Sequence, residues 1–233
     1  MKAAMTTKIL LLMLFALHAQ VSKANSKEST DSYMDEVASV YIPSAVEGSG
    51  LELYEMPDFS HNFQNRSDDG TMIRHKISYH SGNLTGLEKV KRKSCEQPFY
   101  SSANITFSCI LTLPEILVSY EGRVMKITST STSARFQEFP FGVSARFIDV
   151  EFEMTVTTSP NSKISSVKHL KIQNQGTPFL SFSSTAENMS YEILSKHFFH
   201  KYQEIFQELF ENDYRDALET AVSSASYPVE RVY

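Results

Sequence analysis

The chain has 233 residues, 41% hydrophobic and 12% aromatic, with 22 basic against 27 acidic residues and a formal net charge of −5. The acidic excess argues against nucleic acid or an anionic membrane as the main partner. The length suffices for one domain with a sizeable core, or for two small ones.

Lys2 and Lys8 lead into an uncharged run from Ile9 to Leu17, and Ser22-Lys23-Ala24 supplies small residues at cleavage positions. This pattern predicts a secretory signal peptide over 1–24, with an apolar part too short to span a bilayer. Its removal takes Lys2, Lys8 and Lys23, leaving 19 basic against 27 acidic residues and a charge of −8. No other uncharged run approaches about 18 residues, so an exported protein with no transmembrane span is expected. In that oxidising compartment the two cysteines, Cys95 and Cys109, predict one disulfide. Asn-x-Ser/Thr triplets at Asn65, Asn83, Asn104 and Asn188 mark the mature chain as a glycoprotein.

Tyr33, Met34, Val37, Ala38, Tyr41, Ile42 and Ala45 recur at helical spacing within 30–46, with Asp31, Asp35 and Glu36 where the helix dipole favours acids. Pro43 predicts a kink, and Gly48-Ser49-Gly50 stops the pattern. Residues 51–70 read as a connector. From Thr71 the period becomes two: Ile73, His75, Ile77 and Tyr79 share one face. A short strand is expected over 87–93. The cleanest alternation follows, with Phe99, Ala103, Ile105, Phe107, Cys109, Leu111 and Leu113 on one side. Leu113-Pro114-Glu115 reads as a turn and Gly122 as a bulge in the next strand, with a loop over 129–143. Ile148, Val150, Phe152, Met154 and Val156 alternate with polar neighbours; strands over 164–173 and 179–183 complete the set.

The chain then changes period again. Tyr191, Leu194, Phe198, Phe199, Tyr202, Ile205, Phe206, Leu209 and Phe210 fall within about 160° of a helical wheel. The stretch 187–222 would reach about 54 Å as one helix. Tyr214, Ala217, Leu218 and Ala221 are rotated by roughly 90° from that stripe. A bend near Asn212, or contact of the last turns with another surface such as the first helix, accounts for the shift.

The order is a helix, five to seven antiparallel strands with one apolar face each, then a long helix. This predicts an α+β fold: a long curved antiparallel β-sheet wrapped around a long C-terminal α-helix, an elongated super-roll with a shorter N-terminal helix. A single domain over 25–222 and a tail over 223–233 are expected.

Met56-Pro57-Asp58-Phe59-Ser60 with Phe63, Gly86-Leu87 with Val90-Lys91-Arg92, Phe147 to Val156 followed by Ser165-Ser166-Val167, and Ile205-Phe206 with Ala217-Leu218 carry a resemblance. On these segments the chain resembles the mite group 7 allergens, related to the juvenile-hormone-binding and takeout proteins and to the bactericidal/permeability-increasing superfamily of tubular lipid-binding proteins. The resemblance spans about residues 30–222 and implies a roll with an apolar pocket for lipids or lipid-like molecules. The cysteine pair, the glycosylation triplets and the tail depart from the mite pattern.

No catalytic constellation is present, neither a Gly-x-Ser-x-Gly elbow nor a His-Glu-x-x-His helix, so the chain reads as a non-enzyme with no cofactor or metal. His197 and His200 read as solvent-facing rather than as a metal pair. His75 reads as an interior histidine or a polar contact in a pocket. Lys89, Lys91, Arg92 and Lys93 read as a solvated strand end or as a contact for an acidic head group. The expected pocket wall is Tyr191, Leu194, Phe198, Tyr202, Ile205, Phe206, Leu209 and Phe210, with Phe107 and Phe152 on the sheet. Two functions fit: a secreted carrier of an apolar or lipid-like ligand, or a secreted glycoprotein with a filled core that acts on a protein partner.

Overall fold

The computed structural model describes residues 27–66, 70–101, 104–129, 134–159, 164–183 and 191–228. The expected signal peptide and Asn188 lie outside these residues. The first helix, α1, runs over 27–48 and contains a π-helical turn at Val37–Tyr41 before Ile42–Gly48 returns to α geometry. Pro43 explains the turn. A proline inside a helix has no N–H to donate and crowds the carbonyl four residues back, and a widened turn just before it relieves both.

Among the described residues nine strands form one antiparallel sheet: β1 (Tyr54–Met56), β2 (Phe59–Arg66), β3 (Met72–Thr85), β4 (Lys91–Cys95), β5 (Phe99–Tyr100), β6 (Ile105–Ser129), β7 (Ala134–Thr158), β8 (Ser165–Asn174) and β9 (Thr177–Phe182). Two helices follow, α2 (Tyr191–Glu211) and α3 (Asp213–Ser224). The sheet curves around the bent pair, as its alternating apolar face predicts.

Four readings of the sequence are corrected by the structure. The connector over 51–70 holds β1 and β2, both hydrogen-bonded to β3. The loop expected over 129–143 belongs largely to β7, whose residues 134–143 pair with 120–129 of β6. The turn expected at Leu113-Pro114-Glu115 is absent, because β6 runs straight through it. The short strand also lies a few residues later than expected, at Lys91–Cys95.

Pro114 has a structural role of another kind. In β6 the inward residues are odd up to Leu113 and even from Ile116 to Val124; β7 reverses opposite them, between Val150 and Phe147. Both strands therefore turn over together at one place, where Pro114 offers no N–H and Asp149 takes a left-handed φ of 56°. Two glycines press on this crease from either side. A Cβ on Gly86 (φ +104°) would stand 2.3 Å from the Glu115 carbonyl oxygen, and one on Gly176 (φ +78°) 2.5 Å from that of Ile148. Only a residue without a side chain fits both the conformation and the approach.

The crease divides the sheet. On one side β2, β3 and β9 flank β6 and β7; on the other side β4, β5 and β8 do. Among the described strands only β6 and β7 cross. Between the β4 and β6 segments Cys95 and Cys109 face each other directly and form the expected disulfide.

The predicted break in the long helix occurs at Asn212, whose φ and ψ are −115° and −94°. Asn212 does not cap α3 with its side chain; its Nδ2 donates back to the Glu208 carbonyl at 2.8 Å. Beyond it α3 packs on α1 and β8, and the Tyr33 hydroxyl donates to the Val222 carbonyl at 3.0 Å. Glu219 accepts the Val167 amide and Arg215 donates to the Val167 carbonyl, so α3 satisfies backbone groups of edge strand β8. Ala225 and Tyr227 are buried too: Tyr227 packs against Tyr33 and Phe107, and its hydroxyl lies 2.8 Å from Thr30.

Candidate ligand-binding site

The inner face of the roll is a continuous set of aromatic rings. Along α2 they run from Phe198 through Tyr202, Phe206 and Phe210 to Tyr214 of α3, each within 6.3 Å of the next. Spacing of four residues puts them one above another on the helix. The sheet meets them ring by ring. Phe147 stacks on Tyr202 at 4.1 Å, and Phe152 stands edge-on to Phe210 at 5.2 Å and to Tyr214 at 6.1 Å. These contacts lie on opposite sides of the crease, so α2 spans it.

The packing is uneven along this line. Leu194, Phe198, Tyr202, Ile205, Phe206, Leu209, Phe210 and Phe152 are buried. Tyr191 is 57% exposed, with its hydroxyl on the Leu180 carbonyl and its ring against Phe182. Phe107 is buried away from α2, between Tyr33 and Tyr227. Most of the partly buried apolar side chains lie at the end that holds Tyr191, the others being Tyr41, Tyr54, Leu170 and Ile172. There Phe59, Phe63, Phe139, Leu180, Phe182, Ile193 and Phe199 are only partly buried. Phe59 stacks on Tyr79 at 4.4 Å, Tyr79 meets Phe141 at 5.6 Å, and Phe141 meets Phe182 at 6.1 Å. An aromatic band thus crosses the sheet from β2 to β9, under the first turns of α2. Sequence reasoning missed the β2 members, because Phe59 and Phe63 fell in a stretch read as connector.

Buried phenols report on the polar side of this interior. Tyr214 donates to the Leu87 carbonyl at 3.0 Å and Tyr79 to the Leu194 carbonyl at 3.4 Å. The Tyr202 hydroxyl has no partner among the described residues, and burial holds its pKa well above the ordinary value. Tyr202→Phe is therefore expected to leave stability unchanged or raise it slightly. Tyr214→Phe should cost about 1–3 kcal/mol by orphaning the Leu87 carbonyl. Urea denaturation of both variants checks this; equal losses would mean that Tyr202 has a polar partner in solution.

Histidines gather at the Tyr191 end. His75 lies flush on Phe63 at 4.7 Å, with its Nδ1 buried and without a partner among the described residues. Desolvation, with Lys126 beside it, pushes its pKa below the usual range. An open cleft of about 350 Å³ is lined by Phe63, His75, Arg74, Lys76, Asn62, Gln64 and Ile127. His197 is not solvent-facing as expected: its ring stacks on His61 of β2 at 3.5 Å. The sheet reaches further round α2 than the apolar stripe alone requires. His200 is exposed and lies 3.3 Å from Glu204.

The basic cluster is held by acids. Arg92 forms a bidentate pair with Asp35 at 2.8 Å and meets Asp31 at 3.1 Å, while Lys93 meets Glu151 and Lys89 meets Glu88. These pairs tie β4 to α1 and β7, leaving only Lys91 of the four without one among the described residues. No group of three or more His, Cys, Asp or Glu stands where it could hold a metal ion, among the described residues. No described helix is long and apolar enough to cross a membrane. Asn65 and Asn104 are exposed, whereas Asn83 is half-buried with its Nδ2 on the Ser81 carbonyl.

No protein-family model matches the chain, and no curated protein sequence matches it. Among solved structures, 83% of the chain aligns with a lipopolysaccharide binding protein at 13% identity and a TM-score of 0.42, covering 38% of that protein. It likewise aligns over 83% of its length with Takeout 1 of Epiphyas postvittana at 10% identity and a TM-score of 0.34, covering 92% of that chain. The chain spans well under half of the first of these. At such scores neither likeness bears on function, and the fold stands on its own strand register.

Proposed function

We propose that the protein is a secreted, non-enzymatic carrier of an apolar or lipid-like molecule, held between the sheet and the first turns of α2. The supporting observation is the contrast along the roll. From Phe198 to Tyr214 the rings are fully packed, while the aromatic band at the β2–β9 end leaves Phe59, Phe63, Phe139 and Phe182 partly bare. Apolar side chains that face inward yet remain uncovered suit a ligand with an apolar body. The site we propose is this mouth and not the whole helix, with Tyr191, Ile193 and Phe199 as its helical wall. The sequence resemblance to the tubular lipid-binding superfamily points the same way.

The test uses protein purified from a eukaryotic secretion host. Native mass spectrometry and lipid extraction should find a co-purified amphiphile, and a fluorescent fatty acid should displace it. Phe63→Ser should weaken uptake about tenfold with little loss of stability, since the side chain is already half-exposed. Absence of both bound lipid and uptake would refute the carrier reading. It would favour the alternative, a glycoprotein acting on a protein partner, which the solid packing around Phe206 and Phe210 supports.

A further inference from the structure

Two imidazoles close the mouth. His61 sits on β2, an edge strand held only by β3, and His197 sits two turns into α2. Their rings lie 24° from parallel with centroids 3.5 Å apart. Next to His197 along the chain is Phe198, which is fully buried against Tyr79 and Tyr120. The stack joins β2 to α2 beside the aromatic band, and His61 also lies 6.4 Å from Phe63.

We propose that the His61–His197 stack is a proton-operated latch on the mouth of the roll, closed while the rings are neutral and parted when both are protonated. Neutral imidazoles stack as other aromatic rings do, but two imidazoliums at this separation repel at close range. The neighbours do not relieve that charge. On α2 the flanking groups are Lys196 and His200, the latter beside Glu204, which is already paired with Lys201. Glu192 is exposed and roughly 140° away round the helix from His197. On β3 the residue opposite His61 is Ile77, next to it in the strand is Lys76, and the neighbours on the face of Ile77 are Tyr79 and His75, the latter paired across to Lys126 of β6. Asp58, just before β2, accepts the Ser81 amide.

Desolvation first, then the charges of His61, Lys196 and His200, hold the His197 pKa below its ordinary value of 6.5. The sign follows from linkage. A histidine with a depressed pKa binds its proton more readily when the contact is open. The closed state is thus fully favoured above about pH 6.5 and loses ground as the pH falls below it. That window matches the fall from an extracellular fluid to an acidified compartment. The latch rests on the carrier reading only for what is released; the opening itself is a separate claim.

Hydrogen–deuterium exchange at about pH 7.5 and about pH 5, corrected for intrinsic rates, reads the opening. Exchange over 59–66 and 191–200 is expected to rise about fivefold or more in acid, while α3 and β8 stay unchanged. The double variant His61→Phe, His197→Phe keeps stacked rings without the titration and should lose the response. A wild type with no acid response, or a variant that responds equally, overturns the latch. Should the variant not fold, NMR titration of the wild type decides: coupled protonation of His61 and His197 supports the latch, and independent titration overturns it. Acid opening in a protein that takes up no lipid keeps the latch and removes the carrier; lipid uptake with no acid response does the reverse.

Discussion

Phe210→Ala is expected to cost about 3–5 kcal/mol of folding stability, the range found for emptying a large aromatic site in a well-packed core. The ring has no solvent to retreat to. It meets Phe206 at 5.1 Å, Phe152 at 5.2 Å and Tyr214 at 4.8 Å, so its loss breaks contacts within α2, to the sheet and to α3 at once. Its position two residues before the break at Asn212 limits collapse, because the helix ends on either side are fixed by different surfaces. Guanidinium denaturation reads the effect as a shift in midpoint. Phe136→Ala, at a side chain 66% exposed, is the control and should stay within about 0.5 kcal/mol of the parent. A loss below about 1 kcal/mol at Phe210 would mean that the ring ladder is slack.

The second large effect concerns the cystine. Replacing Cys95 and Cys109 together by alanine should destabilise the protein by about 3 kcal/mol, the chain-entropy contribution of closing a loop of about 15 residues. Alanine is the right substitute because both positions are buried and a serine hydroxyl would enter without a partner. The loss should be local as well as global. β4 is five residues long and is the strand through which Arg92 and Lys93 fasten α1 and β7. Amide exchange in 91–95 should therefore accelerate before that of β6, and uniform acceleration would contradict this order.

Much of the architecture is legible in the residues, for reasons that differ by element. Strands show themselves where one face is buried and the other wet, which is why Ile105 to Leu113 and Ile148 to Val156 read cleanly. The stripe from Tyr191 to Phe210 is equally plain, and its rotation beyond Phe210 pointed to either a bend near Asn212 or a contact with another surface such as the first helix; the structure has both. Pro114 misled because a proline without an N–H to share reads as a turn; only the structure shows two strands turning over beside each other. β2 was hidden by its edge position: Ser60, Asn62 and Gln64 outside and half-covered rings inside give a weak contrast. Tyr227 escaped because no period surrounds it. The His61–His197 contact could not be read at all, since it joins residues 136 apart through the wrap of the sheet.

The crease at Pro114 and Asp149 gives the roll a mechanical axis. Of the described strands β6 and β7 cross it, short links at Gly86 and Gly176 pass it on either side, and α2 lies across the line as a splint, with Phe147 gripping it above and Phe152 below. Bending there would change the bore of one end without unpairing the strands of the other. The disulfide, α1 and α3 lie on one side of the line, and the partly bare aromatic band lies on the other. In the carrier proposed above, a guest of variable bulk would be accommodated by a change in angle between two intact halves, with no strand having to leave the sheet.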